Sequence, residues 1–241
     1  FSVFNESSGE NIFTIPMDKN LYTSQMQYLF RSRHYNHAKA YGLGGENGSC
    51  ATIEALRVFA YGTDSVDTRI YENYYADTMF DLNGDTIRLD NGTPLVYLPL
   101  EVRLDLSRLP AEKTAGARMK KYEIDKMGTK DGKLSDNDIV LFRYADVLLM
   151  RSEAKVRNGE NGDEELNAVR FRVGMLPRKA TIENMLAERQ LELAWAGWRR
   201  QDLVRFGKFT RPYTDRPQLP HESNGYTTVF PIPDKVRSLN P

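Results

Sequence analysis

The chain has 241 residues, 40% of them hydrophobic, enough to bury a core as one large unit or two small ones. Its 33 basic residues are balanced by 33 acidic ones, so no cationic excess exists to neutralise phosphates, which argues against nucleic acid as a partner. No apolar run approaches the ~18 residues needed to span a bilayer, and a lone cysteine, Cys50, excludes an internal disulfide.

The chain opens at Phe1 with no charged and apolar leader, so it reads as a fragment or processed product whose targeting signal lies elsewhere. Residues 1–137 are rich in Gly, Asn, Asp and Tyr, with short apolar runs between turn signals. Short helices are expected over Thr23 to Phe30 and Ile53 to Phe59. Gly42-Leu43-Gly44-Gly45-Glu46-Asn47-Gly48 and Asn83-Gly84-Asp85 read as turns, because Gly and Asn tolerate positive φ. Thr86 to Leu89 and Leu95 to Leu98 read as strands flanking the Asn91-Gly92 turn, a hairpin. A further strand is expected at Lys120-Lys121-Tyr122. Loops this long inside a folded unit tend to carry function.

From Asp138 the pattern turns helical. Phe142, Ala145, Leu149 and Val156 share one helical face, and Asn158-Gly159 stops that helix. A second helix follows Asp163, with Leu166, Val169 and Val173 facing inward, and ends near Gly174 and Pro177. Thr181 is a suitable N-cap for a third, running to about Gly197. A fourth spans roughly Arg199 to Phe206, with Gly207 as its stop. The first two make a helix-turn-helix of about tetratricopeptide size. The fold class is therefore mainly α: a tetratricopeptide-like scaffold over 138–241, and a loop-rich ligand-binding region with short β-hairpins over 1–137.

In the third and fourth helices Glu188, Arg189, Glu192, Arg199, Asp202 and Arg205 are interleaved with Leu, Ala and Trp, so the charges cannot all reach water. Each acid has an arginine within three or four positions, which favours a buried ion lattice locking the two helices over a catalytic carboxylate pair. A carboxylate held by a guanidinium has a lowered pKa and is a poor general acid. His34 and His37 at i, i+3 lack a third ligand for zinc and read as surface residues. Cys50 has no neighbouring His, and no Gly-x-Ser-x-Gly elbow or phosphate loop is present. Asp136-Asn137-Asp138 reads as a solvated turn. Neither an enzyme, a cofactor nor a metal is expected.

Three blocks are distinctive: Arg143-Tyr144-Ala145-Asp146 to Ala154, Glu188 to Lys208, and Phe230-Pro231-Ile232-Pro233. With Glu10-Asn11-Ile12-Phe13-Thr14-Ile15-Pro16, the Gly/Asn/Cys loop through Cys50, Asp67-Thr68-Arg69 and Asn240-Pro241, they resemble the C-terminal half of the SusD/RagB family. Ala196 departs from that pattern, where many members carry Glu. The resemblance implies a nutrient-capturing lipoprotein on the extracellular face of the outer membrane in Bacteroidota. Its lipid anchor would lie outside this chain, and it would deliver oligosaccharide to a SusC-like TonB-dependent transporter.

Sugars present an apolar face and a rim of hydroxyls, so a glycan site wants an aromatic platform with bidentate polar groups. Nine of the thirteen tyrosines precede residue 100, at 22, 28, 35, 41, 61, 71, 74, 75 and 97. The expected contacts are Tyr41, Asn47 and Cys50 of the Gly/Asn-rich loop, Arg118, and Tyr144 at the start of the scaffold. The rival readings are a peptide-binding uptake component of the same family and, from another class, a glycoside hydrolase, which would need two acids about 5 to 9 Å apart in one cleft.

Overall fold

The computed structural model describes residues 1–21, 32–102, 113–125, 134–214 and 216–239. In chain order they form β1 (Asn11–Ile15), α1 (Tyr35–Ala40), α2 (Ile53–Val58), α3 (Ile70–Asn73), β2 (Tyr74–Tyr75), β3 (Asp77–Thr78), β4 (Val96–Tyr97), β5 (Arg118–Met119) and β6 (Ile139–Arg143). The helical part follows as α4 (Tyr144–Arg157), α5 (Asp163–Arg172), α6 (Ile182–Glu192), α7 (Arg199–Arg205) and α8 (Asp234–Leu239). The helix expected over Thr23 to Phe30 and the Asn240-Pro241 end lie outside the described residues.

The helical scaffold is as the periodicity predicts, with two corrections. Leu141 and Phe142 are not helical; they lie on β6, which pairs antiparallel with β1 through Thr14 and Val140. Ile139, Val140 and Phe142 are β-branched or aromatic, and a partner strand was available to take the run. Helix α4 begins only at Tyr144, where Glu10 supplies the missing cap. The Tyr144 N–H donates to the Glu10 carbonyl at 2.8 Å and the Ala145 N–H to its carboxylate at 3.2 Å.

Asn158 and Gly159 end α4, the latter with φ of 78°. Helix α5 then crosses so closely that a Cβ at Gly162 would lie 2.6 Å from the Ser152 carbonyl. Only glycine fits there. Ala145, Leu149, Leu166, Val169, Ala180 and Met185 fill the space between α4, α5 and α6. Burying each large side chain among them contributes roughly 1.5–3 kcal/mol. Thr181 caps α6 by accepting from the Asn184 N–H at 3.2 Å. That helix stops at Glu192, short of Gly197, because Trp195 and Gly197 take φ of 58° and 82°.

The loop-rich region has little regular structure and borrows the scaffold's core. Ala51, Leu56, Phe59, Ile70, Tyr74 and Ala117 pack with Leu191 and Ala194 in one cluster. Around the Asn91-Gly92 turn, the Leu89 N–H donates to Thr93 at 2.8 Å and the Leu95 N–H to Ile87 at 2.8 Å. The strands expected there are shorter than their pattern suggests: bridges link Arg88 with Pro94 and Phe80 with Thr86, and β4 pairs with β3. The strand expected at Lys120 to Tyr122 is instead β5, paired with β2.

Two polar expectations are corrected. Asn137 and Asp138 are buried rather than solvated; Asp138 accepts from the Thr14 hydroxyl at 2.8 Å and the Met17 N–H at 3.0 Å. His34 and His37 are not on the surface. His34 caps α1, its Nδ1 accepting from the Asn36 N–H at 3.2 Å. His37 is fully buried 3.0 Å from the Tyr97 hydroxyl, with Tyr41 and Tyr75 edge-on to its ring. Burial, with the charges of Arg33 and His34, lowers its pKa to about 3, so it is a neutral core residue.

Candidate functional site

The ion lattice is real, but its partners come from far along the chain. Glu188 is fully buried and lies 2.6 Å from Arg170 and 2.7 Å from Arg69. Glu192 meets Arg69 at 2.9 Å, Arg143 at 2.5 Å and Arg172 at 2.5 Å. Burial pushes the Glu192 carboxyl up, but Arg143, Arg172 and Arg69 outweigh it and hold the pKa at about 2. Arg189 bridges Asp146 and Asp202, each at 2.7 Å, and Arg205 joins Asp202 to Glu153. Arg199 stands apart from the lattice: its Nη1 donates to the Leu186 carbonyl at 3.1 Å, and no carboxylate among the described residues lies within ion-pair distance.

The Asp67-Thr68-Arg69 segment explains how the loop region is held. Arg69 grips Asp67 with two donors, at 2.9 and 2.7 Å, while its other donors reach Glu188 and Glu192. The lattice therefore ties the loops to α6, rather than merely α6 to α7. These acids are all committed to guanidinium groups, which suits structure and not proton transfer.

Among the loop residues expected to contact ligand, Asn47 and Arg118 come together. The buried Arg118 Nη2 donates to Asn47 Oδ1 at 2.9 Å and to the Lys113 carbonyl at 3.2 Å, with its guanidinium 5.2 Å from the Tyr97 ring centre. Asn47 Nδ2 donates to the same Lys113 carbonyl at 2.8 Å. Cys50 lines a separate cavity with Tyr74, Arg189 and Trp195, and a Cβ on Gly116 (φ 82°) would meet its Sγ at 2.6 Å. Tyr41 lies in a different cavity, its hydroxyl donating to the Phe80 carbonyl at 3.0 Å. Tyr144 is exposed at the start of α4, in neither place.

What the Asn47–Arg118 knot positions is Lys113. Its ammonium stands 6.0 Å from the ring centre of Tyr35, which is half exposed. Beside them Asn36 Nδ2 donates to Asp90 Oδ1 at 2.9 Å and to the Arg88 carbonyl at 3.0 Å. Tyr35, Asn36, Asp90, Asn91 and Lys113 line an open hollow of about 460 Å³. An aromatic face flanked by a carboxylate, an amide and an ammonium offers stacking together with several hydrogen-bonding groups, the combination a sugar ring uses. Sequence reasoning did not single out Tyr35, Asp90 or Lys113. The available signals were Tyr35 among the early tyrosines and the Asn91-Gly92 turn, but nothing linear joins residues 35, 90 and 113.

A second, larger cavity of about 560 Å³ lies where the loops meet the scaffold. Tyr41, Tyr75 and Tyr122 line it, with Arg69, Lys121, Arg143 and Glu192 of the lattice side. Among the described residues no three His, Cys, Asp or Glu side chains are grouped to hold a metal ion, and no helix is long and apolar enough to cross a membrane.

The sequence model of the SusD family matches residues 9–241, and the chain belongs to that family. A stretch of 91 residues is 35% identical to the starch-binding protein SusD of Bacteroides thetaiotaomicron, covering 37% of this chain and 16% of that protein. Among solved structures, a laminarin-binding SusD-like protein superposes with a TM-score of 0.63 at 20% identity, over 97% of this chain and 49% of its own. Surface glycan-binding protein A from Bacteroides thetaiotaomicron, in complex with laminarihexaose, gives 0.60 at 18% identity, over 95% and 50%. At these identities the structures establish the shared fold. The chain spans about half the length of these solved relatives.

Proposed function

From this membership of the SusD family, we propose that the protein captures a glycan at the bacterial surface and passes it to a TonB-dependent transporter of the outer membrane, without cleaving it. The family match carries the reading. The relatives named for starch, laminarin and laminarihexaose support a glycan as ligand. The whole protein would hang from the outer membrane by a lipid anchor outside this chain.

In this reading the Tyr35 hollow is a glycan contact. Tyr35 stacks on a sugar face, Asp90 and Lys113 bind hydroxyls, and Asn47 and Arg118 act through Lys113 by holding its backbone. Tyr41 and Tyr144 are not part of this contact. Glu188, Glu192 and Asp90 sit with guanidinium or amide partners, which supports binding over hydrolysis.

The test is calorimetric titration of the whole protein with a panel of plant, host and microbial oligosaccharides, with reducing sugar assayed in parallel. Saturable binding to one class, weakened roughly two- to tenfold by Tyr35→Ala, is expected, since an aromatic stacking contact contributes about 0.5–1.5 kcal/mol. Binding that ignores Tyr35→Ala would move the site elsewhere, release of reducing sugar would make the protein an enzyme, and peptide binding in place of glycan would overturn the ligand class. Co-purification with a barrel transporter checks the hand-over.

A further inference from the structure

At the lattice end of the 560 Å³ cavity, charge is not balanced pair by pair. Glu192 is one carboxylate shared among Arg69, Arg143 and Arg172. Arg69 has further partners in Asp67 and Glu188, and Arg143 has Glu10 at 3.1 Å. Lys121 has no carboxylate of its own among the described residues. It is 8% exposed, its ammonium donates to the Ala194 carbonyl, and it stands 4.6 Å from the centre of the Phe1 ring. Arg143 Nε, also buried, has no acceptor among the described residues.

A buried cation without a counter-ion costs several kcal/mol. Burial, then the charges of Arg143 and Arg172, lower the Lys121 pKa well below the usual lysine value, with Glu192 opposing them. One further anion at this spot would relieve that strain, and the cavity is the way in. Its aromatic walls, Tyr41, Tyr75 and Tyr122, ask for a ligand with a flat apolar face as well as a negative charge. At the mouth Glu72 and Glu123 offset Lys120, so the attraction is short-ranged and confined to the lattice end.

We propose that this cavity takes an acidic sugar unit of the glycan, a uronate, its carboxylate meeting Lys121, Arg143 Nε and Arg172 and its ring lying along Tyr41 and Tyr75. The proposal rests on the glycan-binding reading above and names the class of sugar. The entering carboxylate supplies the partner that Lys121 lacks among the described residues. A neutral sugar brings no such carboxylate.

The experiment titrates the whole protein with galacturonate- and glucuronate-containing oligosaccharides and with their carboxyl-reduced counterparts. At least tenfold preference for the acid form is expected, and Lys121→Met should abolish it. Arg172→Gln changes a side chain that is 48% exposed, so it should fold whatever Lys121→Met does, and it should cut the preference severalfold.

Equal affinity for acid and reduced forms overturns the proposal, as does an acid preference that survives both substitutions. A stronger preference for sulfated oligosaccharides with the same Lys121 dependence overturns the uronate assignment. Tyr35-dependent binding of neutral glycans alone overturns this proposal but leaves glycan capture standing. Binding of no glycan at all overturns both.

Discussion

Two regions of this molecule hold carboxylates beside cationic groups, and they use them in opposite ways. Under α6, Glu188 and Glu192 are buried and gripped by Arg69, Arg143, Arg170 and Arg172. At the Tyr35 hollow, Asp90 is exposed, its carboxylate meeting Asn36, with Lys113 held nearby by its backbone. A desolvated pair resists separation because each lost partner strands the other, whereas an exposed pair is screened and exchanges partners freely. Burial turns charge into a structural bolt; exposure leaves it available to a ligand.

The sharpest way to break this contrast is Glu192→Ala. It takes a shared buried carboxylate from three guanidiniums at once, and a loss of about 3–5 kcal/mol is expected in denaturant unfolding of the whole protein. A loss below about 1 kcal/mol would mean that water replaces the carboxylate and the lattice is no bolt.

Acid provides the same test without mutation. The Glu192 carboxyl titrates at about 2 in the folded chain against 4.5 for the free group. Its folded pKa is depressed, so its contribution is complete above about pH 4.5 and is lost as pH falls toward 2. Thermal melts should therefore show a drop in stability across that window that is smaller in Glu192→Gln. An equal drop in both would assign acid sensitivity to other groups.

Arg118→Met should fall between the two regions. Removing its donors from Asn47 and the Lys113 carbonyl should cost about 1.5–3 kcal/mol and weaken glycan binding as Lys113 loosens. If stability falls while binding holds, Lys113 does not contact the ligand.

At the exposed end of the comparison, Tyr35→Ala should weaken binding yet shift unfolding by no more than about 0.5 kcal/mol. Tyr144→Ala, on an exposed residue that lines neither hollow, should change neither stability nor binding measurably. A binding defect there would mark a ligand or partner surface along α4.

The scaffold was legible in the sequence because its signals are local. Thr181, Asn158-Gly159 and Gly207 mark helix ends through their own backbone preferences, and Leu149, Leu166 and Val169 recur at helical spacing. The exception, Phe142, shows the limit: strand β1, more than a hundred residues earlier, decided its conformation. The candidate site was less legible. Asn47 and Arg118 were recognisable as polar loop residues, but they are turned inward, and the exposed groups they support are at 35, 90 and 113.

The sequence by itself determined the family, the helical half and the need to pair the charges of α6 and α7, since these follow from motif and period within single elements. Only the tertiary structure decided who the partners are. It brought Arg69 and Arg143 to Glu192, left Arg199 on a backbone carbonyl, buried His37 and opened the Tyr35 hollow. The reason is physical: a periodic pattern says which face of an element is buried, and only chain packing says what that face meets.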